Sequence, residues 1–208
     1  MGALVDTRNV HDIKRELSWI LVFLGTIWVV FAFDRFLPLE QFGLVPRTVD
    51  GLTGIVAMPF LHGNLQHLIG NSVPLTVTLL LLAGSRANSL AIVALITVLG
   101  GAALWVFGRT ALHIGASGLV FGLIAFHIFA GIFERRPVSM LISLVVGLMY
   151  ATTLLQGVLP MQRGVSWDGH LFGALAGVLV AFVMAGLIRE DARTRPGTRR
   201  PSARGPSA

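Results

Sequence analysis

Six apolar runs set the terms for this chain: approximately Leu17–Phe33, Leu65–Ala83, Leu90–Phe107, Ala116–Phe133, Val138–Leu159 and Gly169–Ile188. A helix needs roughly 20 mainly apolar residues to cross a hydrocarbon core. Within lipid its backbone must be satisfied internally. Charged residues make up 12% of the 208 residues, against about 25% in soluble domains, and they cluster between the runs. The expected fold is all-α: a polytopic membrane protein with one six-transmembrane-helix bundle. Residues 1–16 are read as a cytoplasmic N-terminal segment, 17–188 as the six-span domain, and 189–208 as a disordered basic cytoplasmic tail, too rich in Pro, Gly, Ser and Arg to bury a core.

Arginine placement orients the bundle. An even number of spans puts both termini on one side, and that side receives Arg8, Lys14, Arg15, Arg86, Arg135, Arg136 and the tail arginines. The other side carries Arg35, Arg47, Arg109 and Arg163, diluted by Asp34, Glu40, Asp50 and Asp168. The positive-inside rule then places both termini in the cytoplasm. The net charge of +6 sits mostly in the tail, where it reads as topology and anionic-lipid contact, not nucleic-acid binding. The absence of cysteine excludes disulfides, thiolate nucleophiles and Cys-ligated metal. The charged, mixed start "MGALVDTRNVHDIKRE" fits neither an import presequence nor a myristoylation signal.

Polar groups inside a membrane are expensive and need a reason. The second, fourth and sixth spans run in the same direction, so their first turns share a depth. Those turns carry His67 and Asn71, Ser117, and His170 respectively. His67 and Asn71 share a helix face. Gly118 and Gly122 form a small-residue stripe beside Ser117, and Gly169, Gly173 and Gly177 form another flanking His170. Such stripes let membrane helices approach closely and would bring Ser117 within reach of His170. Each residue alone has an ordinary explanation, since a membrane serine bonds back to its own backbone and GxxxG is common as packing. Four of them at one depth favour an active site. His62 is expected to face the same outer cavity, His113 to be a solvated loop residue, His127 to be packing, and His11 to be solvated.

The chemistry these groups support is peptide hydrolysis, which needs a nucleophile, a base and oxyanion donors. Ser117 supplies the hydroxyl and neutral His170 the base. Asp168, two residues from His170 but near the water boundary, is not expected to complete a triad. Phe121, one turn after Ser117, is expected to pack on the imidazole instead. Donors come from the free N–H groups opening the fourth span, from Asn71 and from His67.

Three motifs resemble the rhomboid intramembrane serine proteases, in the family's order and on its spans. "HGNLQHLIGN" (His62 to Asn71) is similar to its His-x4-His-x3-Asn pattern, "GASG" (Gly115 to Gly118) to its nucleophile motif, and "GHLFGALAG" (Gly169 to Gly177) to its His-x2-Gly-x3-Gly pattern. The resemblance implies a rhomboid-type bundle in which Ser117 is the nucleophile and His170 the base. It implies Asn71, His67 and Gly115 around the oxyanion, with His62, Phe121, Gly118 and Gly173 in support. No cofactor or metal is implied. The implied partners are the lipid bilayer and transmembrane-helix protein substrates, cut near the outer membrane face, with the enzyme multi-pass in a bacterial plasma (inner) membrane. Gly169 stands where many members have Ala, and Phe121 where some have Tyr. The family's first-loop Trp-Arg pair is missing between Asp34 and Leu61, so the resemblance does not indicate how that loop docks. The competing readings are a non-catalytic binder of client transmembrane helices, a small transporter, and a metal site on His62, His67 and His170.

Overall fold

The computed structural model describes residues 12–160 and 165–194. Among these, six helices are long and apolar enough to cross a membrane. In chain order the elements are α1 (Ile13–Phe33), the single-turn α2 (Gly54–Ala57), α3 (Leu65–Ser85), α4 (Ser89–Phe107), α5 (Ser117–Glu134), α6 (Pro137–Gly157) and α7 (Trp167–Thr194). The six long helices are the six expected runs, with shifted ends. Leu65, Ser117 and Trp167 open α3, α5 and α7 at one end of the bundle, as the shared-depth argument requires.

The ends shift where polar residues find partners. α1 starts at Ile13, before the apolar run, because Asp12 accepts the N–H groups of Lys14 (3.0 Å) and Arg15 (3.3 Å). Glu16 in that first turn is buried and accepts from Trp19 Nε1 (2.7 Å) and the Ser89 hydroxyl. α7 runs beyond Ile188 to Thr194. The expected unstructured tail therefore begins with helix, and its remainder, like His11 and Arg163, lies outside the described residues. A second buried carboxylate, Glu134, closes α5 against Arg86 (2.6 Å) and the Ser139 hydroxyl (2.7 Å). Glu134 is thus charge-paired with Arg86, whereas Glu16 is satisfied by neutral N–H and O–H donors.

α5 forms the middle of the bundle and is its most buried span, while α1 and α6 are the most exposed. The closest packing is between α5 and α7, where small residues remove the side-chain layer. A methyl group on Gly173 would run into the Gly118 carbonyl, and one on Gly177 into the Gly122 carbonyl. On Gly100 of α4 it would meet Gly173 Cα at 3.2 Å. The core between the helices is apolar, with Leu68, Leu75, Leu79, Ile96, Leu123, Ile124 and Phe126 buried.

The connection 34–60 is folded against the bundle by contacts that differ from the missing Trp-Arg pair. Arg47, in a left-handed conformation (φ 61°), donates to the carbonyls of Val106 (3.2 Å) and Gly108 (2.7 Å). This satisfies acceptors at the C-terminal end of α4 that have no helical partner. Trp105 Nε1 returns a bond to the Thr48 carbonyl at 2.8 Å. Farther along, the Leu44 and His113 main chains exchange two hydrogen bonds, of 3.0 and 2.8 Å.

Candidate active site

A cavity of about 760 Å³ opens at the end of the bundle where α3, α5 and α7 begin. His67 and Asn71 from α3, Ser117 and Phe121 from α5, and His170 from α7 all line it. The residues singled out by depth therefore meet, and glycine is what allows it. Gly173 lies one turn along from His170 and Gly118 directly follows Ser117, so the backbone contact between them sets the approach of α5 and α7.

His170 is buried and held on two sides. Phe121 stacks on its ring at 4.0 Å between centroids and 8° between planes, the contact expected from one helical turn. Its Nδ1 lies 3.0 Å from the Gly157 carbonyl. A carbonyl only accepts, so Nδ1 carries the proton of the neutral ring and Nε2 keeps its lone pair. No hydrogen bond joins Ser117 to His170 among the described residues; catalytic hydrogen bonds commonly tighten only with substrate bound.

Asp168 departs from its expected setting. It is 2% exposed, not near water, because Arg109 claims it: the Arg109 backbone N–H donates at 2.8 Å and the guanidinium at 3.1 and 3.3 Å. It does not bond to His170, whose Nδ1 is taken by Gly157.

The segment leading into Ser117 turns sharply at Gly115, where φ is +109°. This is a conformation that L side chains avoid. A Cβ there would also press on His67 Nε2 at 2.5 Å and Asn71 Nδ2 at 3.3 Å, so Gly115, His67 and Asn71 converge on one side of the Ser117 turn. α5 begins at Ser117, so the N–H groups of its first turn have no intrahelical acceptor. The Asn71 side chain is buried, and its Nδ2 has no hydrogen-bond partner among the described residues. A buried donor left unpaired costs about 1–3 kcal/mol.

His62 is buried behind this wall, not on it. Its Nε2 accepts the Ala116 N–H at 3.4 Å, and its ring meets His67 edge to face at 5.1 Å between centroids. Burial lowers its pKa to about 4, the nearby His67 adds to the effect, and a bond to the Phe60 backbone opposes it. His113 corrects a second expectation. It is not solvated but 2% exposed, with Nδ1 2.6 Å from the Ser166 hydroxyl and Nε2 3.1 Å from the Arg109 carbonyl. The Leu44 pairing covers its backbone. His127 packs in the core and finds the Thr78 carbonyl at 3.0 Å. No cluster of three His, Cys, Asp or Glu side chains is arranged for a metal among the described residues.

Sequence reasoning did not find Gly157, Ser166 or the Arg109–Asp168 pair. A backbone carbonyl has no sequence signature. The "SWDGH" run (Ser166 to His170) carried a signal, since a Ser and an Asp at the start of a helix beside His170 invite a question about their partners.

Known proteins give the same direction. The chain is 39% identical over 179 residues to an uncharacterised protein of Mycobacterium tuberculosis, covering 80% of this chain and 74% of that one. An uncharacterised Mycobacterium bovis protein matches with the same figures. One from Mycobacterium leprae is 36% identical over 193 residues, covering 84% and 76%. A model of the Rhomboid domain matches residues 50–187, which takes in α2 to most of α7 and every residue placed on the cavity above. On that match the chain belongs to the Rhomboid family and is an integral membrane protein.

Proposed function

We propose that the protein is an intramembrane serine endopeptidase that cleaves transmembrane segments of other proteins. The observation that carries this reading is the convergence on one cavity of a hydroxyl, an imidazole with Nε2 available and an unpaired buried amide. Ser117 Oγ attacks the scissile carbonyl carbon while His170 Nε2 takes its proton. The Gly157 carbonyl and the Phe121 face hold the ring through the transfer. The developing oxyanion takes hydrogen bonds from Asn71 Nδ2, from His67 and from the N–H groups opening α5, which gives the orphaned amide its missing partner. Nε2 then passes its proton to the departing amine as the C–N bond breaks, leaving an ester on Ser117. A water attacks that ester, giving its proton to Nε2, and Ser117 is released.

The arginine distribution orients the cavity toward the outer face of a bacterial plasma membrane, so cleavage falls near that face. The test is incubation of the purified protein in detergent with a model transmembrane substrate. Ser117→Ala and His170→Ala are expected to abolish cleavage, and a chelator to leave it unchanged. Asn71→Ala lowers kcat about 10²–10³-fold at an unchanged thermal midpoint. Cleavage by Ser117→Ala at the wild-type rate sinks the reading; co-purification of substrate without any cleavage favours a helix-binding protein.

A further inference from the structure

His113 sits at a junction that the proposed chemistry does not use. Its main chain pairs with Leu44 in the first long connection, in both directions. Its ring reaches the other way. The Arg109 carbonyl, 3.1 Å from Nε2, can only accept, so Nε2 carries the proton and Nδ1 presents a lone pair to the Ser166 hydroxyl 2.6 Å away. Ser166 is held at its other end too, because its carbonyl accepts the His170 N–H at 3.0 Å.

These bonds bridge the two segments. Ser117 is four residues after His113, and His170 is four residues after Ser166. One side-chain bond joins His113 to Ser166, and one backbone bond joins Ser166 to His170. Arg109 and Asp168 brace the bridge: the carboxylate accepts from the Arg109 backbone and guanidinium, and the guanidinium lies over the Trp167 ring at 5.4 Å. Asp168 Oδ1 also faces the Ser166 hydroxyl at 3.4 Å, a longer approach than the 2.6 Å to His113 Nδ1. His113 and Ser166 both line the cavity that holds Ser117 and His170.

We propose that His113 is a positioning residue. Through Ser166 it sets the placement of the segment carrying His170 against the segment carrying Ser117. The proposal rests on the proteolytic reading above. Glycine contacts fix how closely α5 and α7 approach, but they leave sliding of the first turns past each other to be fixed by something directional. A hydrogen bond between the two segments, four residues from each reacting side chain, supplies that direction.

The test compares His113→Asn, His113→Gln and Ser166→Ala with wild type, with Ser117→Ala as control. An Asn Oδ1 stands near the position of Nδ1 and still accepts from Ser166, whereas Gln keeps only the donor toward Arg109. Three quantities are read: kcat and KM on a model transmembrane substrate, the rate of Ser117 labelling by a fluorophosphonate, and the thermal midpoint. His113→Gln and Ser166→Ala are expected to lose about 10–100-fold in kcat, the scale of a small misplacement, with KM held and labelling slowed in proportion. His113→Asn stays within about threefold of wild type, and His113→Gln combined with Ser166→Ala is no worse than either alone. Wild-type labelling by Ser166→Ala overturns the proposal, as does equal loss in the Asn and Gln variants. A fall in kcat that follows only the folded fraction, with its labelling rate unchanged, overturns it as well. Residual cleavage by Ser117→Ala instead removes the proteolytic reading, a result separate from either outcome at His113.

Discussion

His62 shows how a residue can serve the site without lining it. Its Nε2 takes the Ala116 N–H next to the Gly115 turn, which requires a neutral ring. Its pKa is lowered to about 4 in the fold and lies near 6.5 in an unfolded chain. Between those values the unfolded chain binds a proton that the folded one refuses, so stability falls as pH drops from about 6.5 toward about 4. The thermal midpoint in detergent is expected to decline over that window, and His62→Gln to flatten part of the decline. An identical pH profile in the variant would show that other groups govern it. At this scale the sequence was informative about side chains and silent about their backbone partners. Ser117, His170, His67 and Asn71 stood out because polar groups at membrane depth are costly. Gly157 did not, since what it contributes is a carbonyl, and His113 was misread because loop position says nothing of which segment folds over it.

Two helices, α5 and α7, do most of the positioning, and their contact is backbone on backbone. A side chain on Gly177 would collide with the Gly122 carbonyl, whereas one on Gly186, farther along the same helix, meets nothing within 4 Å. Gly177→Val is therefore expected to destabilise the bundle by about 1–3 kcal/mol and to lower kcat, although the position lies two turns from His170. Gly186→Val should leave both unchanged. Thermal midpoints and turnover for the pair check this, and equal effects at both glycines would argue for a general intolerance of α7. The helices themselves were legible, because long apolar runs leave few alternatives. The polar first turn of α1 was not, since Glu16 becomes acceptable only beside Trp19 and Ser89. The docking of the connection 34–60 was equally hidden: it depends on Arg47 reaching the end of a helix that starts some forty residues later.

For the whole molecule, six crossings return the chain to the side on which it starts. By the positive-inside rule, arginine placement predicts that side to be the cytoplasm. Reporter fusions at the two termini are expected to give the same cytoplasmic signal, and a reporter inserted near Val49, exposed in the first connection, the opposite one. Unlike signals from the two termini would break the six-span reading. The family match is compatible with either orientation, so this experiment adds to it. The concentric arrangement of the bundle, with α5 at the centre and α1 and α6 at the rim, also determines how the protein meets membranes of different thickness. Hydrophobic mismatch acts through lipid-facing surface, tilting helices or deforming the bilayer around them. α1 and α6 carry the largest shares of that surface, while the spacing of α5 and α7 is fixed by main-chain atoms already in contact. A thinner or thicker bilayer therefore loads α1 and α6 most, and the main-chain contact between α5 and α7 resists passing that load on to Ser117 and His170.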